Sequence, residues 1–242
     1  MNNLLKNNVN KFNIVEDCDY LLRKDNQLRG DISIELLNDV IDKKRTCPQK
    51  LLSIACSIGI IEEKMKGRLG IVVYGIDVAK DALEKASERG VITKYADVSK
   101  CLPFEDGYFD FVFAGEVIEH ILDTKAFLTE IHRVLGLKGY VVLTTPNLAR
   151  FDDRLKLLFG KTPRQTSPLH PYLYLHIRPF TFDSLKNALK ACGFTEIILR
   201  TNVFTVDFWG KKITLYPKFL TRLFPTLGST LIVRAKKSTN NS

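Results

Sequence analysis

The stretch that decides the fold runs from Asp97 to Asn147 and contains GYFDFVFAGEVIEHI at 107–121 and HRVLGLKGYVVLTTPN at 132–147. Phe109–Ala114 is an aromatic and β-branched run that stops before an acidic turn. Thr124–Leu135 then places Phe127, Ile131, Val134 and Leu135 on one helical face, and Tyr140–Thr145 is a second apolar run closed by Pro146. The order is strand, acidic turn, helix, glycine turn and strand, with polar residues where each strand stops. An open α/β sheet presents a ligand in this way.

The same rhythm continues on both sides. Lys50–Cys56 is an apolar run that ends in the small-residue turn Ala55-Cys-Ser-Ile-Gly59, and Ile60–Lys66 turns helical. Ile71–Ile76 is a second strand ending at Asp77. Val78–Arg89 is amphipathic through Ala82, Leu83 and Ala86, with Gly90 as its stop, and Val91–Ala96 is a third strand ending at Asp97. Downstream, Thr181–Cys192 is a helix with Gly193 in the C′ position, Phe194–Thr201 a sixth strand and Thr230–Ala235 a last one. Alternating strands and helices predict an α/β fold, a mainly parallel, doubly wound sheet of seven strands with helices on both faces. Residues 1–44 read as a polar tail and a covering helix over Asp31–Lys43. Residues 45–237 read as one domain with insertions at about 147–180 and 202–228, and 238–242 as a polar tail.

The formal charge of +9 is unevenly placed. Residues 1–146 hold 20 Lys and Arg against 22 Asp and Glu, and residues 147–242 hold 16 against 5. A basic half attracts anionic partners such as phosphorylated small molecules, acidic lipid or nucleic acid. The 202–228 insertion interleaves Phe204, Phe208, Trp209, Tyr216, Phe219 and Phe224 with Lys211, Lys212, Lys218 and Arg222, a mixture suited to a lid with peripheral membrane contact and equally to an extra core layer. No apolar run is long enough to span a bilayer, and the opening residues lack the apolar core of a signal peptide, so a cytoplasmic location is expected. The 5 cysteines are scattered and never in CxxC spacing, which fits reduced thiols better than a disulfide framework or a zinc site.

The turn at Ala55–Gly59 offers backbone N–H groups at the start of a helix, suited to a carboxylate or phosphate. Asp77 follows at the spacing of an acid that accepts from ribose hydroxyls. A dinucleotide fingerprint would need GxGxxG, and only Gly59 is present. Asp110 reads as a turn acid.

Over residues 45 to 200 the chain resembles class I S-adenosylmethionine (SAM) methyltransferases of the type 11/12-like superfamily. The resemblance implies a Rossmann-like sheet with an antiparallel last strand. Leu52–Gly59 stands where that family has LDIGCGTG, with Ser53 in place of the usual acid and Ala55 and Ser57 in place of glycines. It implies cofactor contacts from Ser53, Ala55, Cys56, Ser57 and Gly59, from Asp77 with Val78 at the ribose, from Asp97 with Val98 at the adenine, and from Ala114 and Glu116 near the methyl group. Glu116-Val-Ile-Glu119-His120, read as a first helical turn, is similar to the acceptor side of ubiquinone-pathway O-methyltransferases and small-RNA 2′-O-methyltransferases. There matching residues bind a divalent cation such as Mg²⁺, and in the RNA enzymes a further His completes the site, for which His176 or His170 stands here; alternatively Glu119-His120 only shapes the pocket. Glu116, Glu119, His120 and His176 are thus the candidate catalytic and metal-binding residues. The implied activity is SAM-dependent O-methylation of a small-molecule, glycan or lipid-linked anionic acceptor. RNA 2′-O-methylation and a non-catalytic SAM- or nucleotide-binding partner protein remain alternatives.

Overall fold

The structure is a computed structural model that describes residues 20–166, 175–208 and 211–239. Seven strands form one sheet: β1 (Lys50–Ile54), β2 (Val72–Asp77), β3 (Ile92–Tyr95), β4 (Phe109–Gly115), β5 (Leu135–Pro146), β6 (Phe194–Arg200) and β9 (Thr230–Lys237). Their spatial order is β3-β2-β1-β4-β5-β9-β6. The first five pair in parallel, and β9 lies antiparallel between β5 and β6. Strand order reverses between β1 and β4, so the cleft for a ligand opens at the carboxyl ends of those two strands.

The helices are α1 (Lys24–Asn38), α2 (Ile60–Leu69), α3 (Lys80–Glu88), α4 (Thr124–Val134), α5 (Phe151–Leu158), α6 (Phe182–Ala191) and α7 (Lys218–Leu223). Two cores sandwich the sheet. On one face Phe127, Leu128 and Ile131 of α4 and Leu185 and Leu189 of α6 pack on Leu52, Ile54, Val112, Leu143 and Val233. On the other, Ile34 and Leu37 of α1, Met65 of α2 and Leu83 and Ala86 of α3 pack on Leu51, Val73, Phe111, Val142 and Ile232. Local signals start and stop the helices as the sequence predicts. Asp123 accepts from Ala126 N–H at the head of α4, Thr181 and Ser184 form a reciprocal capping box on α6, and Gly90 and Gly193 follow their helices with φ of 77° and 80°. Asp110 is a turn acid, paired with Arg45 and accepting from Lys50 N–H at 2.9 Å.

Three local expectations differ. The covering helix spans Lys24–Asn38 rather than Asp31–Lys43, because Asn26, Arg29 and Ser33 extend its buried face with polar residues. Strand β5 begins at Leu135, which pairs with Phe109, instead of at Tyr140. The 202–228 insertion is a hairpin of β7 (Phe204–Phe208) and β8 (Lys211–Leu215) followed by α7, and it stands outside the main sheet. Trp209 lies outside the described residues. Both insertions are tied to the end of β5 by Asn147, whose fully buried amide donates to Thr226 O and Gly228 O at 2.9 and 2.8 Å.

Candidate functional site

The loop after β1 and the ends of β2 and β3 form one side of the cleft. Ala55, Ser57 and Gly59 all take left-handed backbone conformations, with φ of 56°, 46° and 77°. Gly59 has no alternative, since a Cβ there would sit 2.9 Å from Ala86 Cα. For Ala55 and Ser57 this conformation is strained by about 1–2 kcal/mol per residue. The loop is held by bonds that reach beyond it: Cys56 N–H donates to Ile76 O at 3.1 Å, Ser57 N–H to Asp77 Oδ2 at 2.9 Å and Arg89 Nε to Ile58 O at 3.0 Å. Asp77 also accepts from Ala79 N–H, at 2.9 Å. Each carboxylate oxygen keeps a further lone pair, so the acid can take donors from a ribose while fixing the loop. At the end of β3, Asp97 accepts from Ser99 N–H and Oγ–H at 3.0 and 2.6 Å, and Val98 packs against the core beside it.

The expected cofactor-contact positions divide into an accessible set and a buried one. Ala55 is exposed, and Ser57, Asp77, Val78, Asp97 and Val98 are half-buried along the edge. Ser53, Cys56 and Ala114, also expected to contact a cofactor, point into packing instead. Ser53 bonds Glu62, Cys56 lies against Gly75, and Ala114 is fully buried in the core.

The acceptor side corrects the expected helical turn. Only Ile118–His120 forms a turn, of the 3₁₀ type, and Glu116 precedes it with φ of 57°. Glu116 therefore does not stack over Glu119 and His120. Its N–H donates to Thr144 O at 2.9 Å, while its Oε1 accepts from Thr144 Oγ1 at 3.1 Å and lies 3.4 Å from Arg29 Nη1. Arg29 comes from α1, is 3% exposed and donates to Tyr20 Oη at 3.4 Å. Burial alone would lower its pKa, but Glu116 and then Tyr20 outweigh burial and hold the guanidinium charged. The sequence carried a weak sign of this residue: Asn26, Arg29, Gly30, Ser33, Ile34 and Leu37 share one face of α1, so an apolar stripe continues into polar residues that are also buried.

Glu119, His120 and His176 do meet. One ligand atom from each lies within 4.8 Å of the others. The two imidazole rings stand edge to face with centroids 4.9 Å apart. His120 Nδ1–H donates to Leu175 O at 3.0 Å, and His176 Nδ1 pairs with Gln165 Oε1 at 3.1 Å. Such bonds fix the tautomer that presents Nε2 to a ligand. Arg178 N–H donates to Glu119 O at 3.0 Å and its guanidinium to Leu122 O, which fastens the His176 segment to the turn.

Glu119 is 1% exposed, and its Oε2 accepts from Thr145 Oγ1 at 3.0 Å. Its Oε1 has no hydrogen-bond partner among the described residues. Burial first, and the nearby Glu116 second, push its carboxyl well above the usual range. Enclosure of much of the His120 ring lowers its pKa, against the opposing pulls of Leu175 O and Glu116, although one edge of the side chain meets solvent. A buried carboxyl oxygen with no hydrogen-bond partner among the described residues, set beside two oriented imidazoles, is a group that could hold a divalent cation. His170 lies outside the described residues.

Residues 52–143 match the family model described as a methyltransferase domain. The ubiquinone biosynthesis O-methyltransferase of Neisseria meningitidis is 31% identical over 108 residues, covering 42% of this chain and 45% of the relative. The mitochondrial enzyme of that name from Homo sapiens is 25% identical over 170 residues, covering 66% of this chain and 46% of the relative. The chain thus spans about half the length of these curated relatives. Among solved structures, a Thermotoga maritima SAM-dependent methyltransferase superposes with a TM-score of 0.61 at 17% identity, over 93% of this chain and 96% of that one. A Haemonchus contortus phosphoethanolamine N-methyltransferase 2 in complex with S-adenosyl-L-methionine gives a TM-score of 0.56 at 16% identity, over 91% of this chain and 60% of that one.

Proposed function

We propose that this chain, whose residues 52–143 match a methyltransferase domain model and whose fold is that of a SAM-dependent methyltransferase structure, is itself a class I SAM-dependent methyltransferase and methylates an oxygen of a small-molecule, glycan or lipid-linked anionic acceptor. The cofactor is SAM, which when bound supplies an electrophilic methyl group. The loop at Ala55–Gly59, its Cys56, Ser57 and Gly59 N–H groups engaged by Ile76 O, Asp77 and Cys56 O, backs the cofactor's amino-acid end, Asp77 takes the ribose hydroxyls, and Asp97 with Val98 holds the adenine. The observation that carries an oxygen acceptor is the convergence of Glu119, His120 and His176 within 4.8 Å, on the turn that follows β4.

An alcohol or phenol must lose its proton as it attacks carbon. Nε2 of His120 or His176 can take that proton. If the three residues hold a divalent cation, it would lower the pKa of the acceptor hydroxyl and orient it. Two imidazoles and one carboxylate suit Mn²⁺, Fe²⁺ or Zn²⁺ better than Mg²⁺. Arg29 from α1 sets its charge against Glu116 at the end of β4.

The proposal includes peripheral contact with an anionic membrane, the source of a lipid-linked acceptor. Leu157, Leu158 and Phe159 at the end of α5 and Phe219, Leu220 and Leu223 on α7 are exposed. Arg154 of α5 donates to Thr226 O, three residues beyond α7, at 3.2 Å. No Asp or Glu occurs in 154–182 or 208–242, so the surroundings are basic, as an anionic surface requires. No described helix is long and apolar enough to cross a membrane. Exposed large apolar side chains favour lipid over nucleic acid as the anionic partner.

The test is incubation of the protein and methyl-labelled SAM with cell extract, with mass spectrometry for an acceptor heavier by one methylene. A labelled lipid-phase or small-molecule product supports the reading. Labelled RNA moves it to nucleic acid, and binding of SAM without any labelled product moves it to a non-catalytic partner protein.

A further inference from the structure

We infer that Glu62 is the positioning residue of the cofactor loop: its carboxylate, reaching back from α2 to Ser53, clasps the two ends of the loop and does from the helix what an acid at position 53 would do from the strand. The inference rests on reading residues 55–59 as the cofactor loop.

Ser53 is the fourth residue of β1, fully buried, and its Oγ–H donates to Glu62 Oε1 at 2.6 Å. Glu62 is the third residue of α2 and is 3% exposed. The nearby backbone of Ile61 and of Glu62 itself also favours the charged form of its carboxyl. One side-chain contact therefore joins the last residues before the loop to the first turn after it, directly beneath a segment whose Ala55, Ser57 and Gly59 all have positive φ. Ala and Ser do not choose that conformation locally, so the loop's shape is imposed from outside it, by the bonds to Ile76, Asp77 and Arg89 along its length and by the Ser53–Glu62 bond at its base.

The cost of this arrangement is informative. Burying a carboxyl without full pairing is unfavourable by several kcal/mol, and a pair of small apolar residues would fill the space without that cost. Burial raises the Glu62 carboxyl to about 7, against the opposing bonds from Ser53 and the backbone. The carboxyl is also oriented: every donor to it belongs to the strand or the helix that bounds the loop. Aligning the loop's N–H groups accounts for that placement; packing alone does not. Glu62 has no opening to the cleft, so it acts through the loop and not on the ligand.

The test compares binding of S-adenosylhomocysteine to the full chain by titration calorimetry in wild type, Glu62→Ala, Glu62→Gln and the exchange Ser53→Glu/Glu62→Ser, which keeps the summed side-chain length. Losing the clasp should weaken binding about tenfold in Glu62→Ala, as loss of a charged hydrogen bond implies. The exchange should recover most of it. Glu62→Gln, nearly the same size, should lie between them and serves if Glu62→Ala does not fold. Unchanged affinity in the Ala and Gln variants overturns the inference, as does a folded exchange variant that binds as weakly as Glu62→Ala. Amide hydrogen exchange of Ser57–Ile60 without ligand reads the clasp independently. It should speed up in Glu62→Ala and slow again in the exchange. If wild type binds no S-adenosylhomocysteine while the exchange pattern holds, the cofactor reading fails and the clasp stands as a loop device only; unchanged exchange rates remove the clasp itself.

Discussion

Arg29 Nη1 lies 3.4 Å from Glu116 Oε1, so a helix that precedes the first strand supplies the counter-charge at the end of β4. Removing one partner of a buried pair leaves the other uncompensated. Arg29→Met should therefore destabilise the protein by about 3 kcal/mol, and Glu116→Gln added to it should restore part of that. Urea unfolding of the three variants decides this. Equal midpoints for Arg29→Met and wild type would show the pair to be worth nothing.

The left-handed residues give a prediction of the opposite sign. Ala55→Gly and Ser57→Gly relieve a strained φ, and each should raise stability by roughly 0.5–1 kcal/mol after the entropy lost by a flexible residue is subtracted. For a chain of this size that is about 1–4 °C in Tm, read by calorimetry. The same variants should bind S-adenosylhomocysteine no worse than wild type. A lower Tm would mean that the side chains of Ala55 and Ser57 contribute packing worth more than the strain.

Glu62 fixes the direction of a pH effect. Its folded pKa, about 7, lies above the ordinary 4.5, so between those values the native state binds more protons than the unfolded one. Stability from this group falls as pH rises through the window and levels off above about pH 7, by roughly 3 kcal/mol in all. Glu62→Gln should flatten that part of the profile relative to wild type. A parallel pair of stability–pH curves from pH 4.5 to 8 would refute it.

The Glu119, His120 and His176 cluster is checked by metal. Mn²⁺ or Co²⁺ added to chelator-treated protein should raise Tm and turnover, and His176→Ala should weaken metal binding about 10-fold or more. Full turnover in excess EDTA, with no effect of added metal on Tm, removes the cation and leaves His120 and His176 as proton acceptors only.

For the apolar surface, Phe219→Ser with Leu223→Ser should abolish flotation with vesicles containing phosphatidylglycerol while leaving Tm within a degree or two, because both side chains are exposed. Wild type should float with anionic lipid at low salt and lose that flotation at high salt. Equal recovery with neutral vesicles, or none at all, contradicts an anionic membrane partner.

The sheet was legible because its signals are local. Asp77 and Asp97 end β-branched runs, Gly90 and Gly193 stop helices, and Phe127 with Ile131 marks a buried face, so each can be read within a dozen residues. The site was legible only where it is also local. Glu119 and His120 are adjacent, and His176 meets them as expected, but Glu116 is turned aside by a positive φ that no glycine announces. Arg29 and Glu62 escaped for a shared reason. Each is a charged residue on a helix, ordinarily read as solvated, whose burial depends on a partner brought up by the fold: Glu116 for one and Ser53 for the other. The hairpin at 204–215 was hidden because its residues mix basic and aromatic side chains without strict alternation.

The position of β9 sets the order in which the molecule can assemble. It is the last strand in sequence yet lies inside the sheet, pairing with β5 from Tyr140 to Pro146 and with β6 from Phe194 to Arg200. During synthesis, β1 to β5 can form their parallel block first, while β6 has no place to dock until residues 230–237 leave the ribosome. The edge of β5 stays open throughout that interval, and an unpaired apolar edge is where nascent chains misassociate. Yield in cells should thus depend on how fast synthesis delivers residues 230–237 to the open edge of β5, which a pause engineered just upstream of Thr230 would reveal as lost soluble protein.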